Sequence, residues 1–81
     1  MSVEEIFKVL RDLVAEEFVT SPDSVTMETS FEDDLGANSV DLVELAMAME
    51  ERFEIEEVPE EDLAGLKTVG DAVRLLAKKL K

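Results

Sequence analysis

Apolar residues recur at helical spacing along most of this chain, and that pattern constrains the fold more than any other feature. In the first segment they occupy one arc of roughly 140° on a helical wheel, ordinary for a helix packed on a core. These residues are Val3, Ile6, Phe7, Leu10, Leu13, Val14 and Phe18. No segment alternates polar and apolar residues over enough positions to predict a strand. The pattern therefore predicts an all-α protein.

Capping signals divide the chain into three longer helices and one short helix. Ser2 with Glu5, and Thr68 with Asp71, have the spacing of capping boxes at the first and last helix starts. We predict helices over residues 3–18, 39–53 and 60–66, and a fourth that follows Thr68 and runs to Lys79. The fold is then a small four-helix bundle in a single domain, residues 1–81, with a long loop between the first two helices.

The long loop, residues 19–38, shows no sustained period. Four apolar residues are spread along it: Val25, Met27, Phe31 and Leu35. We expect them to hold the loop against the core. Loops of this length are uncommon in small domains and are often functional.

The second helix has more apolar surface than a helix at the edge of a bundle needs. Its apolar residues span roughly 220°, against a stripe of about 100° or somewhat more for such a helix. One stripe is the expected core face: Leu42, Leu45, Ala46, Met49 and Phe53. A second comprises Val40, Val43 and Met47, beside the acids Asp41, Glu44 and Glu51. Either the helix is buried on both sides, or the second stripe is left for a partner or a bound cargo chain.

Charge is distributed unevenly along the chain. The sequence holds 21 acids and 8 bases, a net charge of −13. Thirteen of the acids and only one base, Arg52, lie between Glu32 and Asp62. Nucleic acids and anionic membranes repel such a chain, so we expect no nucleic-acid binding and no membrane insertion. Its partners should carry basic patches.

The residue inventory argues against catalysis. The chain has no Cys and no His, which excludes disulfides, a cysteine nucleophile and an imidazole base. The acidic runs 32–34 and 56–62 lack the spacing of a calcium loop, so we predict no dedicated metal site. The first residues carry acids where an export signal needs bases. We expect a non-catalytic, cytoplasmic monomer.

One serine lies where the long loop meets the second helix. Asn38 is a good N-cap with Asp41 three residues later, which makes Ser39 the first helical residue. Gly36 allows a tight turn just before it. Helix starts stabilise phosphodiesters, so Ser39 is suited to carry a covalently attached phosphate group. Serines near helix starts are more often plain caps, and the residues alone leave that reading open.

The residues around Ser39 also form an extended motif. In order they are Asp34, Leu35, Gly36, Ala37, Asn38, Ser39 and Val40, followed by Val43, Glu44 and Leu45. This run resembles the acyl carrier protein family, whose pattern is an acid, Leu, Gly, a small residue, usually Asp, then Ser and Leu, with Val-Glu-Leu following. The flanking pairs Val25-Thr26, Ser30-Phe31 and Thr68-Val69 match as well. The likeness extends over about residues 3–77.

The resemblance implies a function. In this family a phosphopantetheinyl transferase moves a 4′-phosphopantetheine arm from coenzyme A to the serine, here Ser39, with Mg²⁺. The thiol of the arm then carries acyl groups as thioesters between acyl-transferring and chain-elongating enzymes of fatty-acid or related lipid biosynthesis. The acyl chain can also insert between the helices. The expected partner-binding residues are Asp34, Asn38, Val40, Asp41, Val43, Glu44, Met47 and Glu51.

Three features depart from the family pattern. Asn38 replaces the usual acid, Val40 replaces the usual Leu, and residues 53–59 contain one residue more than usual before the proline. They leave open a specialised carrier for a polyketide, aminoacyl or lipopolysaccharide acyl cargo. The alternative of another class is an unmodified acidic helical module that binds a basic partner by charge alone.

Overall fold

The computed structural model describes residues 1–80, so Lys81, the last residue of the predicted domain, lies outside the described residues. The helices are α1 (Val3–Glu17), α2 (Ser39–Phe53), α3 (Glu60–Ala64) and α4 (Val69–Lys79). Residues 1–80 contain no strand, only an isolated antiparallel bridge between Ser30 and Thr68. The prediction of three longer helices, one short helix and a long loop is confirmed.

α1 begins as its capping box predicts. The Ser2 hydroxyl accepts a hydrogen bond from the Glu5 amide at 3.2 Å, and the Glu5 carboxylate accepts one from the Ser2 amide at 2.9 Å. The helix buries Ile6, Leu10, Val14 and Ala15. The prediction that Val3 faces the core is wrong. Val3 is 52% exposed and lies in the first turn, outside the core cluster.

Apolar contacts hold the long loop against the core, and backbone hydrogen bonds join it to the start of α4. Val25 and Phe31 are buried, and Met27 and Leu35 pack against the core, as predicted. Three backbone hydrogen bonds then join the loop to the start of α4: Phe31 N to Lys67 O at 3.0 Å, Val69 N to Thr29 O at 2.9 Å, and Gly70 N to Met27 O at 2.8 Å. A single 3₁₀ turn, Pro22–Ser24, lies in the loop's first half.

The close approach of loop and helix explains the glycine at position 70. A Cβ atom there would lie 2.9 Å from the Met27 carbonyl oxygen, closer than real Cβ atoms come to backbone. Glycine is therefore needed because the chain passes without room for a side chain. The loop that leads into α2 is thus positioned by α4, although the two are distant in sequence.

α3 is shorter than predicted, ending at Ala64 rather than at residue 66. Gly65 caps it, and Leu66 follows as a buried residue of the next turn. A five-residue helix has little internal hydrogen bonding, so its end depends on packing rather than propensity. α3 packs against α2, while α1 packs against both α2 and α4.

Candidate functional site

Ser39 follows a turn that is closed by its own backbone. Asp34 N and Leu35 N both donate to Ser30 O, at 3.0 and 3.1 Å, and Ala37 N donates to Phe31 O at 2.7 Å. Gly36 has a φ of +64°, the left-handed region that glycine enters without strain. The tight turn predicted before the serine is therefore present.

The start of α2 is fixed by a reciprocal cap. The Asn38 side-chain oxygen accepts from the Asp41 amide at 2.9 Å, and the Asp41 carboxylate accepts from the Asn38 amide at 3.1 Å. Ser39 is then the first helical residue and is exposed, as predicted. Its hydroxyl forms no side-chain hydrogen bond within residues 1–80, so Asn38 and not Ser39 caps the helix.

Ser39 borders a cavity of about 730 Å³ between the loop, α2 and α3. Its apolar lining comes from the loop, α2 and the α3 region: Phe31, Ala37, Leu42, Leu63, Ala64 and Leu66. Polar residues line the rest of it, among them Glu32, Asp33 and Lys67. A smaller cavity of about 300 Å³ opens beside it, lined by Ser39, Leu42, Val43, Glu60, Leu63 and Ala64. The serine therefore lies at the mouth of an apolar space.

Sequence reasoning did not identify the α3 side of this cavity. Leu63 and Ala64 were expected only as part of a short helix, and Leu42 was expected on the core face. Leu42 is instead half-buried, because one side of it packs on the core while the other lines the cavity. The spacing of Leu63 and Leu66 was the one available sign that α3 presents apolar residues to α2.

The second apolar stripe of α2 is exposed rather than buried against another helix. Val40, Val43 and Met47 are 61%, 45% and 59% exposed. Leu45, Ala46, Met49 and Phe53 are buried, as the first stripe predicts. The alternative in which α2 is covered on both sides is therefore wrong. The exposed stripe, Val40, Val43 and Met47, is called the apolar strip below.

The predicted acidic partners differ in how free their carboxylates are. Glu44 and Glu51 are exposed. Asp41 uses one oxygen in the cap of α2. Asp34 is exposed, but one of its oxygens accepts the Ser30 amide at 2.7 Å. Asp34 and Asp41 therefore help to shape the turn and the helix start in addition to any contact with a partner.

An acid from α1 joins this surface, and sequence reasoning missed it. The pKa of Glu17 is raised above its ordinary value, first because its carboxyl is within hydrogen-bonding reach of Glu44. Partial desolvation and the negative charges of Glu44, Asp41 and Glu16 raise it further. The acidic surface of α2 thus extends to the end of α1. The place where Glu17 of α1 meets Glu44 of α2 is called the seam below.

Other kinds of site are not found among the described residues. Residues 1–80 contain no group of three or more Asp and Glu side chains placed to hold a metal ion. No helix within that range is long and apolar enough to cross a membrane.

The geometry around Ser39 fits a phosphopantetheine arm. The residue that carries the hydroxyl is exposed, so a reacting group can approach it from solvent. The cap satisfies the Asp41 amide, whereas the Ser39 and Val40 amides donate no hydrogen bond within residues 1–80. Such amides favour a phosphodiester at that end of the helix dipole. The apolar cavity beside the serine offers space for a chain attached there.

Comparisons with known proteins show the family to which the chain belongs. A family model described as the phosphopantetheine attachment site matches residues 8–76. The acyl carrier protein of Clostridium perfringens is 47% identical over 73 residues, which cover 90% of this chain and 95% of that protein. The acyl carrier protein of Bdellovibrio bacteriovorus is 51% identical over 70 residues, covering 86% and 88%.

A solved structure is similar along almost the whole fold. It is that of the acyl carrier protein from Enterococcus faecalis, described for its high thermal stability. The TM-score is 0.79 and the sequence identity 29%, over 98% of this chain and 99% of that one. The sequence matches therefore extend to the arrangement of helices.

Proposed function

The chain belongs to the acyl carrier protein family, and we propose that Ser39 is the residue to which its 4′-phosphopantetheine arm is attached. The observation that carries this proposal is the exposed Ser39 hydroxyl in the first turn of α2, at the mouth of the apolar cavity. The resemblance of residues 34–40 to the family motif supports the choice of the same serine.

The chain itself contributes position rather than catalysis. The Ser39 oxygen accepts the phosphoryl group, and we assign the base and the metal to the transferase, because the chain has no His to act as a base near neutral pH. When attached, the arm supplies the thiol on which acyl groups are carried as thioesters. The cap of Asn38 and Asp41 holds the serine at the helix start, where the phosphodiester is stabilised.

The apolar strip and the acids beside it form the proposed docking surface for partner enzymes. Glu44, Glu51 and Asp41 would meet basic side chains of the phosphopantetheinyl transferase and of acyl-transferring and chain-elongating enzymes. Met47 and the two valines would be covered by apolar groups of the same partners. Asn38 directly precedes the serine, and Asp34 lies five residues before it in the turn that leads into α2. Charge attracts the partner, and the strip supplies contact area once the two surfaces meet.

We further infer a single, monomeric carrier domain that acts in the cytoplasm in fatty-acid biosynthesis. The core cluster, to which α1, α2, α4 and the loop all contribute, supports a single domain. Asn38 favours the alternative of a specialised carrier, because a neutral amide side chain stands where the family usually has an acid, and its oxygen is already used in the cap. A transferase that grips an acid there with a basic side chain would lose that contact.

Attachment at Ser39 is tested by mass. Wild-type protein is incubated with coenzyme A, Mg²⁺ and a broad-specificity phosphopantetheinyl transferase, then weighed. We expect one arm on the wild type, none on Ser39→Ala, and one on the control Ser24→Ala. An adduct that persists in Ser39→Ala would overturn the assignment of this residue.

Docking is tested by charge reversal at two exposed acids that have no part in the cap. Glu44 and Glu51 are both changed to Lys. In the control, the exposed Glu56 and Glu57 are both changed to Lys, so the net charge shifts by the same amount. We expect slower loading and a flatter salt dependence only in the first variant. Equal effects of the two pairs would mean that total charge, not this surface, controls association.

A further inference from the structure

The four methionines differ sharply in their access to solvent. Met49 is fully buried, Met27 is half-buried, and Met47 is 59% exposed in the apolar strip. Met1, at the amino terminus, is 64% exposed. Because the polypeptide has no cysteine, its methionine thioethers are its most readily oxidised side chains.

We propose that Met47 is a site of reversible oxidative modification, and that its oxidation weakens docking of partner enzymes. The oxidant is a hydroperoxide. The Met47 sulfur attacks the peroxide's terminal oxygen, the O–O bond breaks, and a sulfoxide S=O bond forms. The proton on the attacked oxygen passes to the released oxygen, which leaves as water or an alcohol. Sulfur loses two electrons and the peroxide gains them.

The position of Met47 makes this change local. A sulfoxide is polar, and here it would stand on the exposed strip next to Val43, one helical turn earlier. A partner that covers the strip would then have to bury a polar group without a matched hydrogen bond. The core would not be disturbed, because Met47 lies outside the core cluster that contains Met49.

The consequence for docking rests on the proposed function, whereas the selectivity of oxidation does not. Restoration requires reduction of the sulfoxide, the reaction of methionine sulfoxide reductases. The modification would therefore act as a reversible switch on the same surface that the acids and the apolar strip provide.

The first arm of the test measures selectivity. Full-length wild-type protein is treated with hydrogen peroxide, the peroxide is removed, and peptides are mapped by mass. We expect Met47 and Met1 to gain oxygen well before Met27 and Met49, with no change in melting temperature at the stage when Met47 is oxidised. Oxidation of Met49 as fast as Met47 would overturn the proposal.

The second arm measures docking through loading by a broad-specificity phosphopantetheinyl transferase. We expect oxidised wild type to show a KM raised by about tenfold, the effect of about 1.4 kcal/mol, with kcat little changed. Methionine sulfoxide reductase should restore the KM. Met47→Leu, compared only with its own untreated form, should show no change after peroxide.

The outcomes separate the two proposals. If untreated protein is never loaded at Ser39, the attachment site is wrong. If oxidised wild type loads as well as untreated protein, or if Met47→Leu is impaired equally by peroxide, the switch is wrong while the attachment site stands. Met1 serves as an internal check, because its oxidation is common to wild type and variant.

Discussion

α1 and α2 are both 15 residues long, and each begins with a reciprocal capping box, yet they use their apolar residues differently. In α1 the apolar face packs on the core beyond the first turn, with Ile6, Leu10 and Val14 fully buried. In α2 one stripe is buried and the strip of Val40, Val43 and Met47 is exposed. Helix length and capping therefore do not distinguish a scaffold helix from a contact helix. The amount of apolar surface left over after packing does.

The largest expected effect tests this contrast by removing side chains. Leu10→Ala should lower the free energy of unfolding by about 2–5 kcal/mol, because it leaves a cavity in the core. Met47→Ala should change it by less than about 0.5 kcal/mol, because the side chain is exposed. Urea unfolding followed by circular dichroism measures both.

If Leu10→Ala fails to fold, Ile6→Val provides a milder core change, with an expected loss of about 0.5–1.5 kcal/mol. A loss in Met47→Ala as large as either core variant would show that the strip belongs to the core and that the contrast between the helices is wrong.

The caps at the two helix starts should contribute comparably. Ser2→Ala and Asn38→Ala should each lower the unfolding free energy by about 0.5–2 kcal/mol, since each removes the acceptor for an amide of the first turn. Asn38→Asp should change it by less than about 1 kcal/mol, because Asp caps as well as Asn. Thermal unfolding distinguishes the three.

Asn38→Asp also separates capping from recognition. A transferase that expects an acid before the serine should load Asn38→Asp faster than wild type. Equal loading rates would mean that Asn38 acts as a cap alone, and would remove the support for a specialised carrier.

The ends of the two helices provide a smaller comparison. Val19, just after α1, has a φ of 51°, and Glu54, just after α2, a φ of 52°. A left-handed conformation costs an L-residue about 1–2 kcal/mol, and glycine removes this strain. Glycine also makes the unfolded chain more flexible, which destabilises the fold by about 0.4–1 kcal/mol and offsets part of the gain. Val19→Gly should therefore stabilise by roughly 0.5–1 kcal/mol, and Glu54→Gly by less, because Glu is not β-branched.

Differential scanning calorimetry of both variants tests this order. The Thr20 amide bonds to Ala15 O at 2.9 Å and should keep the turn in place in Val19→Gly. Destabilisation by Val19→Gly would indicate that the exposed valine makes contacts that outweigh its backbone strain.

The smallest effect concerns the seam where the two helices meet. The pKa of Glu17 is raised in the fold, chiefly by Glu44. A raised folded pKa means that the related stability is present at low pH and is lost as pH rises through it. Stability should therefore increase modestly on acidification from neutrality toward the ordinary Glu value of 4.5.

Glu17→Gln should remove most of this pH dependence and stabilise the protein at neutral pH. The control is Glu57→Gln, an exposed acid away from the seam. The pKa of Glu5 is lowered by hydrogen bonds with Ser2. The pKa of Asp71 is lowered by its hydrogen bond with Arg74 and by the backbone amides of Thr68 and Lys67. Their contribution is lost only at lower pH, below their ordinary values. Melting temperatures are measured for wild type and Glu17→Gln from pH 7 to pH 4.5. If the two proteins show the same dependence on pH, Glu17 does not control it.

The helix starts and the attachment motif were predictable because they depend on residues three or four apart. Ser2 with Glu5, Asn38 with Asp41, and Thr68 with Asp71 all form the predicted boxes. The end of α3 was not predictable, because five residues provide too little local signal. The exposure of Val3 was missed because helical spacing shows which side of the helix faces the core. It does not show where along the helix the core ends.

Local chemistry in the sequence determined the four helices, the position of Ser39 at the start of α2, and the concentration of acid around it. Only the tertiary structure decided which stripe of α2 stays uncovered, how Leu63 and Ala64 close the cavity beside Ser39, and how Glu17 comes to face Glu44. Capping and periodicity act within one turn of chain, where geometry is set by covalent spacing. Packing joins residues far apart in sequence, and the faces they cover depend on how all four helices fit one core.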